Sequence, residues 1–183
     1  MRVLETRVYR GPNPYGYRPV IRMTLDLEEI EEYPSTKLPG FTDRLVELIP
    51  TLHEHGCSYG EPGGFIRRLR EGTWIGHIVE HIALELQCLA GTTVTYGKTR
   101  SVPDQPGVYY VVYSYIEEQV GLEAVELAMR LVRSLMPEEL PSALRGEERA
   151  GFDFLRERDA LISRAQDMVL GPTTAALVAE ARK

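Results

Sequence analysis

The chain opens on alternation. "RVLETRVYRG" (2–11) places apolar and polar residues with the period-two pattern of a half-buried strand, and the glycines and prolines of "GPNPYG" end it. The alternation resumes in "RPVIRMTLDLEEI", where Val20, Met23, Leu25 and Leu27 suit a second strand, antiparallel to the first. "YPSTKLPGF" reads as a loop. From Thr42 the period changes: "TDRLVELIPTL" spaces its apolar residues for a helix, with Thr42 or Asp43 as the cap. A glycine-rich loop, "GCSYGEPGGF", feeds a short basic helix, "FIRRLREG". Thr73 then opens the longest and most regular helix, running to Leu89 or Ala90, with Gly91 where a terminating glycine belongs. "VYYVVYSY" has the β-branched and aromatic content of a strand. It leads through "IEEQVG" into a helix, "LEAVELAMRLVRSL", that stops before Pro137. Beyond that point the charged, loop-like "PEELPSALRGEERAG" precedes two short helices, "FDFLRERDALISRAQDMVL" and "PTTAALVAEARK", with Pro172 near the start of the second.

These elements predict an α+β fold. Residues 1–137 form a single domain, a mixed or antiparallel sheet packed by helices, and residues 138–183 form a helical tail. A length of 183 residues at 43% hydrophobic content fills one core. The net charge of −6 is spread without blocks, and no basic stripe exists to neutralise phosphates, so nucleic acid is not an expected partner. Two cysteines, Cys57 and Cys88, make no disulfide framework and fit a reducing cytoplasm. No apolar run has the length of a membrane span, and the first residues do not form a signal peptide.

The central helix carries the candidate chemistry. At about 100° per residue, Ile75, Ile78, Val79, Ile82, Leu86 and Leu89 share one face. His77 and His81 fall on the opposite side, with Glu80 on the flank, in the H-x-x-E-H order. Two readings follow. One is a solvated polar face. The other is a metal site, because residues four apart on a helix can converge on one ion, leaving Glu80 as a general base toward water. The metal reading needs a third ligand. Glu117 and Glu118, where a strand turns into a helix, are the best-placed acids, although acids also favour a helix N-terminus for electrostatic reasons. Glu85, two turns from His77, reaches the same ion poorly. Two imidazoles and a carboxylate suit Zn2+ and leave manganese or iron open.

Three other features have weaker claims. His53, His55 and Cys57 alternate, but as a metal cluster they would need an extended backbone, and they have no nearby fourth ligand. Gly63 and Gly64 allow close approach of backbone to a bound chain. "YGKTR" lacks the upstream glycine and strand of a phosphate loop, so Lys98 and Arg100 read as carboxylate-binding groups instead.

Together, "RVLETRVYRGPN", "DLEEIEEYPSTKLPGFTDRLVELIPTL", "CSYGEPGGFIRRLREGTWIGHIVEHIALELQCLAG" and "YGKTR" resemble the N-terminal domain of cyanophycin synthetases. "ELPSALRGEERAGFDF" and "LGPTTAALVAEARK" resemble the segment leading to that family's ATP-grasp region. The resemblance implies a parent ligase that builds multi-L-arginyl-poly-L-aspartate (cyanophycin) with ATP and Mg2+, using ATP-grasp and Mur-ligase-like regions that lie beyond Lys183. The chain alone is then not expected to ligate, and its partners are the polymer and the rest of the synthetase, with homo-oligomers a further expectation.

The resemblance also places a polymer-binding role here, and in some members a metallopeptidase-like one that cuts polymer to make primers. The family's helix motif maps onto His77, Glu80 and His81, and its acidic pair onto Glu117 and Glu118. Two functions therefore stand. A zinc hydrolase would hold its metal with His77, His81 and one of Glu117 and Glu118, activate water with Glu80 and grip a carboxyl group with Arg100. A non-catalytic binding module would meet the polymer's arginines with Glu61, Glu117 and Glu118. Arg67, Arg68, Lys98 and Arg100 would then meet its carboxylates, and Tyr109, Tyr110, Tyr113 and Tyr115 would stack on guanidinium planes.

Overall fold

A computed structural model describes residues 1–141 and 151–168, with Leu177, Glu180 and Ala181 as isolated positions. Four strands form one open, wholly antiparallel sheet in the order β1-β2-β4-β3. They are β1 (Arg2–Tyr9), β2 (Val20–Asp26), β3 (Gly97–Ser101) and β4 (Val108–Ser114). The two predicted N-terminal strands pair as expected, joined by a turn in which the Asn13 carboxamide accepts from the Tyr15 amide. β3 is an edge strand for which the residue pattern predicts no element: Gly97–Ser101 is short and polar, and only its pairing with β4 makes it a strand.

One face of this sheet presents Ile21, Met23, Leu25, Val111 and Tyr113 to the core. Against it lie α3 (Ile75–Leu89) and α4 (Glu118–Ser134), packed side by side. The shorter α1 (Phe41–Leu48) and α2 (Gly64–Glu71), with 3-10 turns over Pro50–Glu54 and Cys57–Tyr59, cover the N-terminal half of α3. α1 starts at Phe41 after Gly40, so neither Thr42 nor Asp43 caps it.

The first helix of the expected tail forms as α5 (Phe154–Met168) and packs on α4. Its Phe154, Leu161 and Ala165 join the same core cluster as the sheet. Arg130 pairs with Glu157 and Arg164 with Glu123 on either side of that contact. The second expected helix, 172–183, falls almost wholly outside the described residues, as does most of the preceding loop. Among the described residues, no helix is long and apolar enough to cross a membrane.

Candidate functional site

α3 is the element that builds the site, and it is buried on nearly every side. The face carrying His77 and His81 is not solvated, which corrects the first of the two readings. His81 is 6% exposed because Phe65 of α2 and His55 after the Pro50–Glu54 turn lie against it, and Glu80 is 4% exposed because β3 lies against it. The start of α3 is anchored by Ser35, whose hydroxyl donates to the Leu69 carbonyl and accepts from the Thr73 amide. The Thr73 hydroxyl does not cap the helix but hydrogen-bonds His77 Nδ1 at 2.8 Å.

Around the two imidazoles the chain gathers a polar cluster. Cys57 Sγ lies 3.5 Å from His77 Nε2, and Cys57, His77 and His81 each offer a ligand atom within 4.8 Å of the others. His55 sits between two α3 side chains, with Nδ1 2.8 Å from His81 Nδ1 and Nε2 2.7 Å from Glu85 Oε2. The Phe65 ring stacks on His81 at 3.9 Å. Glu80 points the other way along the flank, where it accepts from the Thr99 hydroxyl at 2.6 Å. A Cβ at position 97 would run into that carboxyl, so glycine at the start of β3 is what lets Glu80 lie against the strand.

Burial sets the electrostatics. It holds the His77 imidazolium down to about 4, with the Arg68 charge adding to the effect. His81 is pushed well below the usual range by burial, then by its neighbours His77 and His55. Both rings therefore keep a lone pair at neutral pH. The Glu80 carboxyl is pushed up to about 7 by burial, partly offset by the Thr99 hydrogen bond.

All of this forms the wall of one open cavity of about 960 Å³, which also receives Glu54, Arg68, Lys98, Arg100 and Tyr109. Lys98 and Arg100 alternate with Gly97 and Thr99 along β3, so their side chains leave the sheet on the face away from Glu80. They border the cavity at its rim. Arg67 is not part of the wall: it pairs with Glu71 at 2.7 Å and stacks on Tyr59.

The two acids expected to supply a third ligand lie away from the imidazoles. Glu118 is held in a two-pronged ion pair with Arg10, and Glu117 stands at the start of α4. Neither lines the cavity. The reason is positional, since Ser114 and Gly121, on either side of the acidic pair, both pack against Gln87. Gln87 lies ten residues, or about 15 Å, along the helix from His77.

Gly63 and Gly64 also serve another purpose than the one expected. Gly64 meets the Gly56 carbonyl so closely that any side chain would collide, and Gly63, at φ 82°, abuts the His53 ring. They close the loop on itself. Of the four tyrosines, Tyr113 and Tyr115 are buried, Tyr110 carries the Arg22 guanidinium, and Tyr109 donates to Glu31.

Cys57, His55 and Glu85 are the members that sequence reasoning set aside. Cys57 and His55 reach α3 through a turn, with Cys57 itself in the left-handed region at φ 49°, rather than through an extended strand. The available signal was the density of His and Cys donors in "HEHGC" shortly before a helix carrying two more.

Fold and cavity thus define an α+β domain built round a centre of buried and half-buried imidazole, thiol and carboxyl groups. The chain belongs to the cyanophycin synthase-like N-terminal domain family, whose model matches residues 22–137. It is 45% identical over 183 residues to a cyanophycin synthetase of Synechocystis sp., covering 99% of this chain and 20% of that one. Similar matches are the cyanophycin synthetases of Crocosphaera subtropica (44% over 187 residues, 99% of this chain) and of Nostoc sp. (44% over 186 residues, 100% of this chain), each again covering 20% of the relative. The chain thus spans about a fifth of the length of the curated relatives it matches.

Proposed function

We propose that this domain is the N-terminal part of a cyanophycin synthetase and cuts the polymer hydrolytically at the α3 cavity, supplying chain ends for elongation elsewhere in the parent ligase. The observation that carries the reading is the meeting of Cys57, His77 and His81 in the wall of an open cavity that also receives a buried Glu80 carboxyl poised at about 7. The donors fit zinc. Two imidazoles with free lone pairs and one thiol are a ligand set zinc accepts, and three protein ligands leave a position open. Cys57 takes the place expected for an acid. Bound there, zinc would supply Lewis acidity toward water and a peptide carbonyl.

The chain's own groups do the rest. Glu80, held at Oε2 by Thr99, takes up a proton from the attacking water at Oε1 and returns it to the departing amine, a task suited to a carboxyl poised at about 7. Arg68 and the rim cations Lys98 and Arg100 meet the polymer's carboxylates, while Glu54 meets its guanidinium groups. Such a mixed-sign wall matches a polymer that carries both charges. On this reading the domain acts in the cytoplasm.

Incubating the purified, zinc-analysed chain with cyanophycin tests this. Chain shortening is expected, with zinc bound, and Glu80→Gln should slow it roughly 10²–10⁴-fold while keeping the metal. Equal shortening by both proteins, or none by the parent, overturns the reading.

One observation favours a second, non-catalytic role. Lys98 and Arg100 leave the sheet on the face away from Glu80, giving the polymer a contact independent of the buried centre. On that reading the chain stays on insoluble polymer in the presence of a chelator, and release by the chelator counts against it.

A further inference from the structure

We infer that Glu85 and His55 form a hydrogen-bonded relay that fixes His81 in the tautomer protonated on Nδ1, leaving Nε2 as its lone-pair atom. Glu85 and His55 are thus positioning residues for His81. The tautomer follows from the contacts with Glu85 ionised and His55 neutral, and only its use, presenting Nε2 to an ion, rests on the metal reading above.

Positions 81 and 85 lie four apart on α3 and so project from the same side, one turn apart. His55, delivered by the turn before Cys57, sits between them and touches both. With Glu85 ionised and His55 neutral, the direction of the hydrogen bonds follows in sequence. An ionised carboxylate has no proton to give, so the 2.7 Å contact with Glu85 Oε2 requires the proton on His55 Nε2. A neutral imidazole carries one proton only, which makes His55 Nδ1 an acceptor. The 2.8 Å contact between the two Nδ1 atoms needs one donor, and that donor is His81. His81 Nε2 is left bare.

The surroundings support a fixed arrangement. The side chains of His55 and Glu85 are 15% and 8% exposed, so little water competes for these bonds. Phe65 stacks flat on His81 and lies tilted beside His55, which restrains both rings. His77 is engaged in the same sense, its Nδ1 on the Thr73 hydroxyl and its Nε2 facing Cys57. Each histidine of the motif is thus held by Nδ1. A carboxylate buried four residues after the motif, with no role in the proton chemistry assigned to Glu80, gains a function by this account. Partners placed behind metal-binding histidines commonly change metal affinity 10–100-fold.

Imidazole 15N spectra of the metal-free chain, residues 1–183, test the tautomer directly. His81 should show a protonated Nδ1 and an unprotonated Nε2. In Glu85→Gln the amide can donate to His55 Nε2 as well as accept from it, so a population of His81 protonated on Nε2 should appear. Zn2+ affinity, measured by competition with a chromophoric chelator, should fall 10–100-fold in the same variant. His55→Gln, which removes the middle of the relay, should give a comparable loss. A parent His81 protonated on Nε2 overturns the relay, as does a Glu85→Gln protein with unchanged tautomer and affinity. If the parent shows the expected tautomer yet binds no Zn2+, the relay stands and the metal reading falls.

Discussion

Glu80 and Gly97 show how much of the site is set residue by residue. Glu80 has a motif position any reader of the sequence would single out, but its useful property, a carboxyl held up to about 7, comes from burial between α3 and β3. That property has a measurable cost. In the metal-free protein the folded state keeps the Glu80 proton between pH 4.5 and about 7, whereas the unfolded chain has lost it. Stability from this group is full below pH 4.5 and is lost as pH rises through 7, a change of about 3 kcal/mol. Denaturant titrations of the chelator-treated parent and Glu80→Gln should show the parent losing that amount relative to the variant across the window. Parallel pH profiles would mean the carboxyl is not held in this way. Gly97 is the companion residue: a methyl group there displaces the Glu80 carboxyl.

At the scale of elements, the 3-10 turns between α1 and α2 decide what α3 can do. A helical projection of "GHIVEHIALELQ" separates His77 and His81 from the apolar residues, and an isolated helix would show that face to water. Here the turns lay Cys57 and His55 on it, and α2 adds Phe65 and Arg68. The covering loop depends on Gly64, which lies against the Gly56 carbonyl with no room for a Cβ. Gly64→Ala should therefore cost about 3 kcal/mol or more, since the obstacle is backbone and not a side chain that can swing aside. It should also raise the accessibility of Cys57 to thiol reagents. A variant of parental stability, measured by chemical denaturation, would show that the loop has another way to close.

The whole molecule joins two regions that the pattern along the chain divides near residue 137. α5 lies beyond that point, yet Leu161 is 1% exposed and sits in the same core cluster as α3, α4 and the sheet. Leu161→Ala should lower stability by roughly 2–5 kcal/mol, as for other buried leucines. It should do so within a single unfolding transition of unchanged denaturant dependence. A second, earlier transition confined to α5 would show the helix to be an independent attachment.

The fold was largely legible in the residue pattern because its elements report local physics. Two alternating segments give β1 and β2, helical periodicity gives α1 to α5, and a β-branched run gives β4. β3 was not legible: five polar residues have no periodicity of their own and become a strand by hydrogen-bonding to β4. At the site, the sequence by itself determined that His77, Glu80 and His81 share a helix, since a spacing of three and four residues fixes that whatever surrounds it. Only the tertiary structure decided their company. The acids at 117 and 118 are fixed to the far end of α3 by the packing of β4 and α4, where Glu118 finds Arg10. Cys57, His55 and Glu85 come into contact because a glycine-dependent turn reverses the chain over the helix. Contacts between residues 20 to 30 positions apart depend on where two elements dock. Neither periodicity nor motif spacing carries that information, because both describe one element at a time.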